Sequence, residues 1–99
     1  MILSEDQRYF DLIDQATEPT VVLVGEHHDQ WTVLAESELK KAHIPHTFFS
    51  WSALTEARVQ GEWVRFPVLQ LWQDNVLKVE VVGFSQEKYR RLAQAYLRF

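Results

Sequence analysis

Apolar and polar positions follow two periods along this chain, and the switches between them mark its elements. Tyr9, Phe10, Leu12, Ile13 and Ala16 recur at helical spacing. They follow Ser4-Glu5-Asp6-Gln7, which has the form of a capping box: Ser4 can take an orphan backbone N–H and Gln7 can reach back. The pattern predicts an amphipathic helix over 4–16 that ends before Pro19. Thr20–Val24 is an unbroken β-branched and aliphatic run, as expected of a strand buried on both faces. A polar loop, Gly25-Glu26-His27-His28-Asp29-Gln30, leads into a helix predicted over 31–42, with Leu34, Ala35, Glu38 and Leu39 along its stripe.

Pro45 interrupts, and His46–Phe49 reads as a second strand. Ser52–Gln60 reads as a third, shorter helix stopped by Gly61. Two strand-like runs, Val68–Trp72 and Val76–Val82, flank Gln73-Asp74-Asn75. Asp and Asn tolerate the left-handed backbone of a tight turn, so these runs are expected to form a β-hairpin. A last helix should open at Ser85 as N-cap and bury Tyr89, Leu92, Ala93, Tyr96 and Leu97.

The expected order is therefore α-β-α-β-α-β-β-α. An early strand–helix–strand unit implies a parallel pair joined by a right-handed crossover, and the late hairpin adds antiparallel strands. The fold class is α/β, a mixed four-stranded sheet with helices on both faces. Residues 1–99 are expected to form one domain, with 1–18 as a helical extension and 19–99 as the core.

Composition narrows the possible functions. The chain is 46% hydrophobic and 24% charged, a globular balance. Its net charge of −4 argues against general nucleic-acid binding and against anionic membrane surfaces. No apolar run approaches the ~20 residues that cross a bilayer. Met1-Ile2-Leu3-Ser4-Glu5-Asp6 lacks the basic start and long apolar stretch of a secretory signal, so a cytoplasmic location is expected. There is no cysteine, which removes disulfides, thiolate metal sites and thiol nucleophiles together.

Glu26-His27-His28-Asp29 is the one cluster with ligand chemistry, and His27, His28 and Asp29 are its metal candidates. Adjacent loop residues seldom all face one ion, so a solvated polar loop is the competing reading. The serines lack a nucleophile-elbow signature. Four tryptophans are many for 99 residues. Trp72 falls in a predicted strand and suits core packing. Trp31, at the start of a helix, should be exposed, and with Trp51 and Trp63, close to Arg65-Phe66-Pro67, it fits an interface; the competing reading is that two or three of them cover the short middle segment. Lys88, Arg90, Arg91 and Arg98 read as a solvated basic face of the last helix.

Several linked segments resemble glutaredoxins and related small redoxins, a thioredoxin-fold family. Val21–Asp29 stands where that family has its first strand and the loop into its active site, and Val33–His46 is similar to its helix and the turn into strand two. Counting back from Ile44-Pro45 places Asp29-Gln30-Trp31-Thr32 on the family's Cys-x-x-Cys. Arg65-Phe66-Pro67 stands where the family has Thr-Val-Pro with a cis proline, and Val82–Tyr89 is similar to its Gly-Phe helix start. The likeness spans residues 20–97 and is thin over 50–63.

The resemblance implies a thioredoxin fold of glutaredoxin type. It also implies that Asp29 replaces the nucleophilic cysteine and Thr32 the resolving one. An aspartate there suits a helix N-terminus but cannot form a disulfide, and Asp29 reads equally well as a plain N-cap. In the family an extended peptide or glutathione pairs beside the proline. Glutathione is not expected here, because its thiol partner is missing and Arg65 and Phe66 depart from smaller family residues.

The leading expectation is a non-catalytic module that binds a protein or peptide through Asp29, Gln30, Trp31, Thr32, Trp63, Arg65, Phe66 and Pro67, without a cofactor. The alternatives are a non-redox enzyme or metal-binding protein using Glu26-His27-His28-Asp29, and a structural subunit or homodimer.

Overall fold

The computed structural model describes residues 4–98. The elements run α1 (Glu5–Asp14), β1 (Thr20–Gly25), α2 (Gln30–Lys41), β2 (Thr47–Ser50), a single 3₁₀ turn (Trp51–Ala53), α3 (Thr55–Gly61), β3 (Val68–Gln73), β4 (Val76–Val82) and α4 (Gln86–Leu97). The sheet order is β2-β1-β3-β4. β1 pairs parallel with β2 and antiparallel with β3, and β4 closes the hairpin as the edge strand. The turn is the expected one: Asp74 and Asn75 both have positive φ, 53° and 63°. No helix of the described residues is long and apolar enough to cross a membrane.

β1 is buried from Val21 to Gly25 because the sheet is covered on both sides. On one face Val21, Leu23, Leu69 and Leu71 pack with Ala35 and Leu39 of α2 and Tyr89 and Leu92 of α4. On the other, Val22, Val24 and Val68 pack with Tyr9, Phe49, Leu54, Ala57 and Trp63 beneath α1 and α3. Strict alternation along β1 thus feeds two separate cores.

The caps at Ser4, Asp29 and Ser85 form as expected, each side chain accepting the backbone N–H three residues on. Other expectations shift. Gln7 bonds forward to Asp11 (2.8 Å) rather than back to Ser4. Leu34 faces solvent, 45% exposed, and the buried line of α2 is Thr32, Ala35 and Leu39. Leu97, the last residue of α4, is 67% exposed. The third helix is broken in two at Leu54, whose backbone turns (ψ 66°) to sink its side chain fully into the core. Its left-handed C-cap is Glu62 (φ 54°), not Gly61. Gly61 is required for a different reason: a Cβ there would lie 2.5 Å from the Trp63 indole nitrogen.

Helix α1 is tied to the rest by polar contacts that sequence periodicity does not reveal. Asp6, buried at 8% exposure, accepts from the backbone N–H groups of Glu56 (3.2 Å) and Ala57 (3.0 Å) and from the Thr55 hydroxyl (3.1 Å). It caps α3 from another helix, where the local cap position, Leu54, has no side-chain acceptor. Below it, Tyr9 Oη and Trp72 Nε1 both donate to Gln70 Oε1, at 2.8 and 2.9 Å. Gln70 Nε2 and Trp63 Nε1 both donate to Glu80 Oε2, at 2.7 and 3.1 Å. Burial pushes the Tyr9 hydroxyl up to about 12, opposed by the Gln70 bond and aided by the Glu80 charge, so it stays a donor at neutral pH.

Candidate functional site

Asp29 and Thr32, the positions that the resemblance sets on the two cysteines, form a closed local pair. Asp29 Oδ2 accepts from the Thr32 backbone N–H (2.9 Å) and from the Thr32 hydroxyl (3.1 Å). The Thr32 oxygen accepts in turn from the Glu26 backbone N–H at 3.3 Å. Thr32 is 2% exposed, and a Cβ on Gly25 would overlap its side chain. The two residues therefore lock the end of β1 to the first turn of α2. Thr32 is removed from the expected contact surface, because its hydroxyl is bonded to Asp29 and Glu26 and its side chain packs against Gly25.

The neighbouring loop side chains diverge. Glu26 turns toward β2, accepting from the Ser52 N–H (2.8 Å) and the Ser50 hydroxyl (3.4 Å). His27 stacks on Phe48, with ring centroids 4.2 Å apart. His28 is exposed, and Asp29 points into its own helix. Among the described residues no three His, Asp or Glu side chains are placed to hold one ion. Ser50 bonds to Ser52 and Glu26 and has no histidine partner.

The peptide bond between Phe66 and Pro67 is cis. Pro67 is buried, and its carbonyl accepts from Gly83 N–H at 2.7 Å, which joins this segment to the end of β4. Beside it, Trp31, Arg65, Phe66, Gly83 and Phe84 line an open groove of about 300 Å³. Trp31 is 49% exposed, and its ring lies nearly parallel to Phe84 at 6.2 Å. Phe84 is held edge-on by Tyr89 (5.0 Å), and Phe66 is held by Trp51 (5.2 Å). Among the described residues, the backbone N–H and C=O groups of Arg65 and Phe66 make no hydrogen bond, and no carboxylate lies within salt-bridge distance of Arg65.

Arg65 is placed by a missing side chain. Gly83 has φ +82°, and a Cβ there would meet Arg65 Nε at 2.7 Å. Gly83→Ala is expected to cost about 1–2 kcal/mol through its left-handed backbone and to push the guanidinium out of the groove. Urea denaturation and the Arg65 Nε–H resonance would show it; unchanged stability with an unmoved resonance would refute the placement.

Of the eight expected contact residues, the groove gathers Trp31, Arg65 and Phe66 along its lining, with Pro67 beneath as buried support. Gln30 is exposed at the first residue of α2, and Asp29 is half-buried as its cap. Trp63 does not join them: it is 6% exposed, inside the α1/α3 core. Its burial follows from Gly61, whose bare backbone lets the indole fold back against α3. Phe84 and Gly83 were missed as groove residues. Their signal lay in Gly-Phe before the Ser85 cap, read only as a helix start.

No family model and no curated protein sequence matches this chain. Solved structures do. Mitochondrial thioredoxin 3 from Saccharomyces cerevisiae superposes with a TM-score of 0.74 at 13% identity, covering 90% of this chain and 88% of that one. Thioredoxin O2 from Arabidopsis thaliana gives 0.71 at 16% identity, with 94% and 90% covered. Chlamydomonas reinhardtii thioredoxin f2 gives 0.67 at 18%, with 95% and 93% covered. At these identities the likeness shows the fold alone. The chain is a thioredoxin-fold protein, α/β with a four-stranded mixed sheet and four helices. It has no cysteine, so it has no thiol with which to perform thiol–disulfide exchange. The superpositions show this shared fold and do not separate a glutaredoxin subtype from a thioredoxin one.

Proposed function

We propose that this protein is a redox-inactive binding module, descended from the redoxin scaffold, that captures an extended segment of another protein in the groove beside Pro67. The observation that carries the reading is the pairing of unbonded Arg65 and Phe66 main chain with an aromatic wall of Trp31, Phe66 and Phe84. An extended peptide would gain backbone hydrogen bonds from the first and side-chain burial from the second. Arg65 supplies the groove's one cationic group and favours a carboxylate on the bound segment. Asp29 and Thr32 then serve the scaffold, holding Trp31 at the head of α2.

Selection from a displayed library of random peptides supplies the probe. An enriched peptide should shift the amide signals of Arg65, Phe66, Gly83 and Phe84. Trp31→Ala and Phe66→Ala should each weaken it by about thirtyfold, the loss typical of an interface hot spot of about 2 kcal/mol. Peptides that bind both variants as tightly as the parent protein would overturn the proposal.

A further inference from the structure

The two most exposed large apolar side chains among the described residues lie on the same depression. Val59 and Val64 are 77% and 85% exposed. With Trp51, Thr55 and Arg58 they line a shallow, open hollow of about 460 Å³. A single exposed valine needs no explanation, but two that share one concave surface make a patch.

The hollow is continuous with the peptide groove through the segment before Pro67. Val64 lies on the hollow, and the next two residues, Arg65 and Phe66, lie on the groove. Trp51, on the hollow's side, meets Phe66, on the groove's side, with ring centroids 5.2 Å apart. The main chain of Val64, like that of Arg65 and Phe66, makes no hydrogen bond among the described residues. Free main-chain groups therefore run over three consecutive residues from one depression into the other. A segment that pairs with Arg65 and Phe66 meets Val64 one residue further on.

The hollow differs from the groove in what it leaves to be contacted. Arg58 is engaged within the protein: its guanidinium lies over the Trp51 ring, 5.2 Å from the centroid, and its Nε donates to the Leu54 carbonyl at 3.1 Å. Glu62, the remaining charge on the lining, is the exposed C-cap of α3. The two valines are the apolar groups left facing water, and they select an aliphatic group over a charged one.

We propose that the hollow receives an aliphatic side chain of the same extended segment that fills the groove, a short way along the chain from the residue whose carboxylate meets Arg65. The proposal rests on the peptide-binding reading above and gives the partner's chemistry: an acidic residue and an aliphatic anchor on one extended strand.

A displayed library of random peptides would be selected separately against the parent protein and against a double variant, Val59→Ser with Val64→Ser. Both side chains face water, so the double variant should keep the parent's urea midpoint. Selection on the parent should enrich peptides that carry Asp or Glu and a Leu, Ile or Val at one fixed spacing. Selection on the double variant should retain the acidic preference and lose the aliphatic one. A peptide enriched on the parent should shift the amide signals of Val59 and Val64 together with those of Arg65 and Phe66, and should bind the double variant about tenfold more weakly. Peptides that weaken on Trp31→Ala and Phe66→Ala but bind the double variant as tightly as the parent would overturn this inference and leave the groove reading standing. Peptides that need the valines but neither Trp31 nor Phe66 would overturn the groove reading and the joined surface with it. A concentration-dependent dimer in light scattering, abolished in the double variant, would assign the patch to a second copy of the chain and overturn the inference likewise.

Discussion

Trp63→Ala is expected to lower the free energy of unfolding by about 3–5 kcal/mol, the range for removing a buried tryptophan, while the protein that remains folded keeps its affinity for a groove peptide. The indole is 6% exposed and packs edge-on against Tyr9 at 5.8 Å, with the rings perpendicular. Trp51 lies on its other side at 6.5 Å. Its removal leaves a void between α1, α3 and β3, and those elements cannot all collapse toward one another, because β3 is pinned between β1 and β4. The Glu80 carboxylate also loses a donor. Trp63→Phe separates the two contributions: it keeps most of the ring packing and loses the hydrogen bond, which is worth about 1 kcal/mol. Urea denaturation of the three proteins, with peptide titrations at low denaturant, makes the comparison. A Trp63→Ala protein of near-parental stability that no longer binds peptide would mean that the indole is an interface residue after all.

That contrast shows where sequence reasoning reaches and where it stops. The strands, the hairpin and the three capped helices were legible because each is written locally: a β-branched run, an Asp-Asn turn, a Ser or Asp three residues before the N–H it accepts. The aromatic cluster around Arg65-Phe66-Pro67 was also legible, as a juxtaposition of residue types. The exposure of Trp31 at the head of a helix was legible too, whereas the burial of Trp63 was not, because it depends on Gly61 admitting the indole. Helical spacing names a stripe but not its phase or its end: Leu34 sits beside the buried line of Thr32, Ala35 and Leu39, and Leu97 is the last residue of α4. Thr32 could be placed opposite Asp29 by counting, yet its burial needs the close approach of Gly25, a contact between segments. Asp6 was read only as part of a cap for its own helix, whereas its three acceptor bonds go to residues some fifty positions away.

Asp6 therefore carries the second large effect, and pH gives it a signature. Asp6→Ala should destabilise the protein by about 2–3 kcal/mol, combining the loss of a helix cap with hydrogen bonds to a charged acceptor. Burial pushes the carboxyl upward from its ordinary 3.8, but the bonds from Ala57, Glu56 and Thr55 more than offset this, and the folded-state value lies below 3.8. The folded protein thus holds the Asp6 proton less readily than the unfolded chain does. The stabilisation is present in full above the unfolded value and is lost as pH falls through 3.8 toward the lower folded value. The stability gap between parent and Asp6→Ala should accordingly be level from about pH 7 to pH 5 and narrow below about pH 4. Asp6→Asn should retain part of the cap through its amide oxygen, but it should show no titration of its own. Urea unfolding of the three proteins across that range tests this directly. A gap between parent and Asp6→Ala that stays constant down to about pH 3 would show that α1 holds α3 by apolar packing alone, with the carboxylate contributing nothing through its charge.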